Sequence, residues 1–95
     1  MLLTKEDVQA SLKDSNGWTL TGDIWITKEF TFSTFLKAVE FVNQIADVAE
    51  DRQHHPHITL DYNKVKVALS THDEGGLTQK DFDSAMAYDK TAEKL

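Results

Sequence analysis

The stretch Ser33–Asp61, STFLKAVEFVNQIADVAEDRQHHPHITLD, decides the fold. Up to Arg52 its apolar residues recur at helical spacing. Phe35, Val39, Val42, Ala46 and Ala49 form one stripe; Ala38, Phe41, Ile45 and Val48 form a second beside it. From His57 the period falls to two: Ile58, Leu60 and Tyr62 share one face, and His57, Thr59 and Asp61 the other. Between them stands Pro56, the only proline, which restrains the residue before it to extended geometry and stops the helix. A helix of this length spans roughly 28 Å. Its apolar surface is wider than one small sheet requires, so one stripe is expected to pack against another subunit.

Working outward toward the N-terminus, Ser33 reads as the N-cap of this helix. Ile24 to Phe32 alternates, with Ile24, Ile26, Phe30 and Phe32 on one face and Lys28 as its odd member. Thr21-Gly22-Asp23 is a turn, Gly22 being free to take a positive φ, and Trp18-Thr19-Leu20 is the partner strand. Asp14-Ser15-Asn16-Gly17 ends a first helix that Thr4 caps, with Leu3 and Val8 at the spacing of a hydrophobic staple.

Toward the C-terminus, Tyr62-Asn63 makes a hairpin turn, with Asn63 expected at positive φ. Val65, Val67 and Leu69 then face the core, and Lys66, Ala68 and Ser70 face away. Gly75-Gly76 forms a sharp loop. Thr78 caps a last helix, with Asp81 as capping-box partner and Leu77, Phe82, Ala85 and Met86 as its apolar side. Asp89 to Leu95 is expected to fray. The order helix, hairpin, helix, hairpin, helix predicts one domain over residues 1–95. Its class is α+β, a four-stranded antiparallel sheet with three helices packed on one face.

Composition narrows the functions. The net charge of −6 and scattered Lys and Arg argue against nucleic-acid binding. No apolar run reaches the roughly 18 residues that span a bilayer, and Met1-Leu2-Leu3 is too short for a signal core. The absence of cysteine suits a reducing compartment. The expectation is a cytoplasmic chain.

Three of the four histidines, His54, His55 and His72, sit where a helix or a strand ends. If the fold joins those ends, it makes a pocket of groups that titrate near neutrality. Glu50 stands four residues before His54, so on a continuing helix it would hold that imidazole in one tautomer. His55 and His57 share strand parity, but no third ligand has persuasive spacing, and no metal is expected. Neither Ser70 nor Ser84 lies in a nucleophile elbow, and Gly75-Gly76 is too little for a phosphate loop. Spacing alone leaves an acid–base site in a small α+β domain.

Several motifs carry a resemblance. Glu50-x-x-x-His54-His55-Pro56, Tyr62-Asn63-Lys64-Val65, Leu69-Ser70-Thr71-His72-Asp73, Gly76-Leu77-Thr78 and Asp81, with Asn16-Gly17-Trp18, resemble the pterin-4a-carbinolamine dehydratases over about Leu3 to Tyr88. The resemblance implies dehydration of a 4a-hydroxytetrahydropterin to quinonoid dihydropterin, in tetrahydrobiopterin recycling after an aromatic amino acid hydroxylase, without cofactor or metal. It implies His54 and His72 as the acid–base pair, with Glu50 orienting His54. His55 and Pro56 would border the pterin, Thr71, Asp73 and Glu74 would form a second substrate segment, and Trp18 would lie against the ring. It further implies a homodimer or homotetramer built through sheet edges and the long helix. Ile58 departs from the tryptophan that many relatives carry there. The alternatives are a non-catalytic dimerisation or coactivator module, or action on another pterin.

Overall fold

A computed structural model describes residues 1–95. Helix α1 covers Lys5–Lys13, strand β1 Thr19–Thr21, β2 Trp25–Thr31, α2 Phe35–Arg52, β3 His57–Asp61, β4 Lys64–Leu69 and α3 Gln79–Glu93. A single 3₁₀ turn, His72–Glu74, lies between β4 and α3. The strands form one antiparallel sheet in the order β1-β2-β4-β3. The α+β class and the four-strand, three-helix count match the reading of the sequence.

The period-two pattern sets the sheet's two faces. Ile26 pairs with Leu69 and Phe30 with Val65, and Val67 lies between them on the same face. All five are buried, and with Phe41, Ile45, Phe82 and Tyr88 they belong to one hydrophobic cluster. Phe30 and Phe32 each approach Phe41 at tilted ring angles, with centroids 4.7 and 5.0 Å away. Truncating Phe41 to Ala would cost about 3–5 kcal/mol. The opposite face carries Trp25, Thr27, His57, Thr59, Lys66 and Ala68 and has no helix over it.

Local chemistry fixes the element ends. The Thr4 hydroxyl accepts from the Asp7 amide, and Leu3 and Val8 both reach the core, as a capped and stapled helix start requires. The cap of α2 is Thr34 rather than Ser33, its side chain accepting from the Lys37 amide. At the β3–β4 turn the left-handed residue is Tyr62, at φ 53°, rather than Asn63. The Asn63 side chain instead donates to the Phe32 carbonyl, which locks the turn against the end of β2.

The long helix does not divide into the two stripes that the spacing suggests. Ala38, Phe41, Ile45 and Ala49 are buried, Val42 and Val48 flank them half-buried, and Phe35, Leu36 and Ala46 face solvent. Met86 is likewise 58 % exposed, so it is not part of the apolar side of α3; Ser84 and Tyr88 are buried there with Phe82 and Ala85. Nor does the tail fray at Asp89. Helix α3 runs on to Glu93, and Leu95 packs on the core while its carbonyl accepts from Lys37 Nζ.

Asp89 also explains Lys28. On the core side of β2, the Lys28 ammonium donates to Asp89 Oδ1 at 2.8 Å and to the Asn16 carbonyl at 3.0 Å. It lies 4.8 Å from the centre of the Phe30 ring. A charge on an apolar face is tolerated when it is paired and its stem covers hydrophobic surface.

Candidate functional site

Helix α2 ends on Gln53, which adopts the left-handed conformation (φ 53°, ψ 41°) and donates its amide back to the last turn. This one residue redirects the chain. His54 then turns inward, 9 % exposed, while His55 points outward and Pro56 is half-buried at the entry to β3. Adjacent residues in extended backbone face opposite ways, so the two imidazoles occupy different environments.

The inward imidazole meets α3. His54 Nε2 donates to Asp81 Oδ1 at 2.6 Å. The other oxygen, Oδ2, accepts from Thr71 Oγ1 at 2.8 Å and from the Thr78 amide at 2.9 Å. Thr71 Oγ1 and Thr78 Oγ1 lie 2.7 Å apart. Each hydroxyl has one proton, and that of Thr71 goes to Asp81, so Thr78 donates to Thr71. Asp81 is wholly buried, and three donors compensate its carboxylate. Its place as third residue of α3 adds the helix N-terminus as a further favourable field.

This carboxylate joins the two histidine-bearing segments, since His54 and Thr71 both bond to it and His72 follows Thr71 directly. The 3₁₀ turn His72–Glu74 then carries its three side chains on the surface and ends on Gly75 at φ 74°. An antiparallel bridge between Thr71 and Gly76 closes the turn. Glu74 accepts from the amino group of Met1.

Two expectations need correction. Glu50 does not orient His54: it is hydrogen-bonded to His55 Nε2, and both groups are exposed. The i,i+4 spacing fails because Gln53 has already left the helix, so Glu50 meets the residue five on. Trp18 does not offer a free ring face at the histidines. It is 4 % exposed, stands edge-on to Phe30, and donates its indole N–H to both Asp89 oxygens at 3.1 Å.

In the sequence Asp81 stands out only as a cap and a motif member, yet it is the hub of the cluster. The sequence signal was present in the Thr78–Asp81 spacing, but nothing local announces that the same carboxylate also receives His54 from 27 residues away. The chain gathers no set of three or more His, Asp or Glu side chains able to hold a metal. A groove of about 670 Å³ opens between α1, the turn before β2 and Gly75–Leu77. A smaller hollow of about 250 Å³ lies on the outer sheet face. Neither is lined by His54, His55 or His72.

Comparison with known proteins accounts for the chain as a whole. Residues 1–91 match the family model described as pterin 4 alpha carbinolamine dehydratase. A relative from Nostoc punctiforme is 51 % identical over 85 residues, covering 88 % of this chain and 89 % of its own. One from Herpetosiphon aurantiacus is 48 % identical, covering 94 % and 92 %. Both are named "Putative pterin-4-alpha-carbinolamine dehydratase". A crystal structure from Brucella melitensis, described as a transcriptional coactivator/pterin dehydratase, superposes with a TM-score of 0.93 at 35 % identity, over 97 % of this chain and 99 % of that one. A pterin dehydratase-like protein described as a RuBisCO assembly factor in the alpha-carboxysome shares the fold, with a TM-score of 0.69 at 20 % identity over 81 % and 90 % of the two chains. With a buried imidazole, an exposed one beside it and the Thr71-His72 segment tied to the first through Asp81, the chain belongs to the pterin-4-alpha-carbinolamine dehydratase family.

Proposed function

We propose that the protein dehydrates a 4a-hydroxytetrahydropterin to quinonoid dihydropterin and water. In this reaction the C4a–O bond breaks as the departing hydroxyl takes a proton, and N5 gives up its proton as the C4a=N5 bond forms. Two positioned imidazoles suffice for both transfers, each typically giving about 10²–10⁴-fold. The observation that supports this reading is the shared Asp81 carboxylate, which ties the His54-His55-Pro56 and Thr71-His72 segments together in a member of this family.

The roles divide by exposure. In place of His54, the acid–base partner of His72 that the resemblance implies, whose Nε2 is engaged by Asp81, this proposal takes His55, oriented by Glu50, as the outward-facing partner of His72. His54, with its Nε2 given to Asp81, positions the segment and borders the pterin. Pro56, Asp73 and Glu74 border the substrate in this proposal, Thr71 supports the second segment from beneath through Asp81, and Trp18 acts through the core alone. In this proposal the chain acts in tetrahydrobiopterin recycling, in the cytoplasm, after an aromatic amino acid hydroxylase, with no cofactor of its own. The exposed Phe35 and Leu36 of α2, 47 % and 75 % accessible, suit a homodimer or homotetramer.

A stopped-flow assay with chemically generated 4a-hydroxytetrahydropterin, followed by ultraviolet absorbance, tests the proposal. Dehydration well above the buffer rate is expected. A rate equal to buffer would instead favour a dimerisation or coactivator module, the reading that the description of the Brucella protein supports. A panel of pterins separates action on a different ring system.

A further inference from the structure

The outer face of the sheet contains a built hollow that the dehydratase reading does not use. Ala68 on β4 has Thr27 of β2 and His57 of β3 as its register partners. Neighbouring strands lie about 4.8 Å apart, so Thr27 and His57 stand roughly 10 Å from each other across a single methyl group. The small residue is the floor. Trp25 closes one end as an indole wall, 37 % exposed, and Lys66, two residues before Ala68, closes the other. Thr21 and Thr59 complete the rim. The Thr21 and Thr27 hydroxyls hold each other at 3.0 Å, which fixes the hydroxyl side of the rim.

The charge of the hollow is opposite to that of the chain. The protein carries a net −6, yet no carboxylate lines this site. Lys66 stands opposite Glu29 in register but forms no ion pair with it, so its ammonium is free to face a ligand. His57 brings a second ring nitrogen donor to the same rim. The volume of about 250 Å³ is below that of a drug-sized pocket and fits a single ring. An indole wall favours a flat π face, and an unpaired ammonium favours an anion.

We propose that this hollow is a second small-molecule site, taking a one-ring aromatic carboxylate with its ring against Trp25 and its carboxylate on Lys66. It does not rest on the dehydratase activity.

The full chain, labelled with nitrogen-15, is titrated with 4-hydroxybenzoate, with 4-hydroxybenzamide as the uncharged control. Saturable shifts are expected at the Trp25 indole and the Thr27, His57, Thr59 and Ala68 amides, with a dissociation constant on the order of 1 mM for so small a ligand. Lys66→Gln and Trp25→Ala should each weaken binding at least about tenfold, as loss of a charge-assisted bond or a stacking wall would. Should Trp25→Ala fail to fold, Lys66→Gln, on the solvent face, remains decisive. Equal binding of the carboxamide, saturation elsewhere, or no saturation at about ten times that concentration would overturn the proposal. So would shifts at these amides on dilution alone, which would mean that a second copy covers the face. The dehydration rate of Lys66→Gln should equal wild type; a matching fall would show that the hollow is not a separate site.

Discussion

His54 Nε2 lies 2.6 Å from Asp81 Oδ1, and both side chains are buried, so a residue at the end of one helix and one in the first turn of another are fixed to each other in the interior. Asp81 also receives Thr71 and the Thr78 amide, which makes it the junction of α2, β4 and α3. Removing it would strand three donors at once. Asp81→Ala is therefore expected to destabilise the fold by about 3–5 kcal/mol, since each buried donor left unsatisfied costs about 1–3 kcal/mol, measured by urea unfolding. A loss under about 1 kcal/mol would mean that the carboxylate is not compensated as described.

The two neighbouring histidines should behave differently when truncated. His55→Ala removes an exposed group and is expected to lower the dehydration rate at least about tenfold with little change in stability. His54→Ala should cost stability first, because it leaves Asp81 Oδ1 unpartnered in the core. Thermal unfolding and stopped-flow rates on both variants, alongside His72→Ala, separate catalysis from support. Equal stability losses in His54→Ala and His55→Ala would contradict the inward–outward division.

Gly17 sits at φ 87°, and a Cβ there would lie 2.9 Å from Lys28 Cε. Gly17→Ala meets both backbone strain and the stem of a lysine that is already tied to Asp89 and to the Asn16 carbonyl. A loss of about 1–3 kcal/mol is expected by chemical denaturation. Gly22→Ala, at φ 59° with open space around it, should show the strain alone and lose less.

Burial raises the Tyr88 phenol to about 12, against the opposing pulls of the Arg52 charge and of the nearby Ser84 hydroxyl. The unfolded chain ionises this group near 10, so between about pH 10 and 12 it releases a proton that the native state keeps. Native stability should therefore fall with rising pH across that window, by at most about 1.4 kcal/mol per unit. Neither Tyr88 OH nor Ser84 Oγ, one turn away, meets hydrogen-bond geometry with any group. Tyr88→Phe should accordingly be neutral or stabilising at pH 7, and should flatten the alkaline slope seen in urea unfolding.

Much of the fold was legible because its determinants are local. Thr4 and Thr78 cap their helices where the sequence marks them, the α2 cap lies one residue past the one it marks, and the alternation in β2 and β4 names the buried face. The errors arise where a distant residue or one backbone dihedral decides. Glu50 and His54 look like a pair only while the helix continues, and Gln53 at φ 53° ends it. Trp18 reads as a free ring until Asp89, 71 residues on, takes its N–H. The same aspartate keeps the tail in place. The Thr71-His72 segment was expected to approach His54, but the residue that brings it there, Asp81, lies in neither.

One peptide bond, between His54 and His55, separates the part of the molecule that holds it together from the part that faces its surroundings. An extra residue inserted between Gln53 and His54 would exchange the two rings, sending the second imidazole indoors and the first into water, without removing any side chain. Phase along the backbone, and not composition, is what such a chain must keep at this point. Drift in loop length here would abolish the arrangement even where every histidine survives.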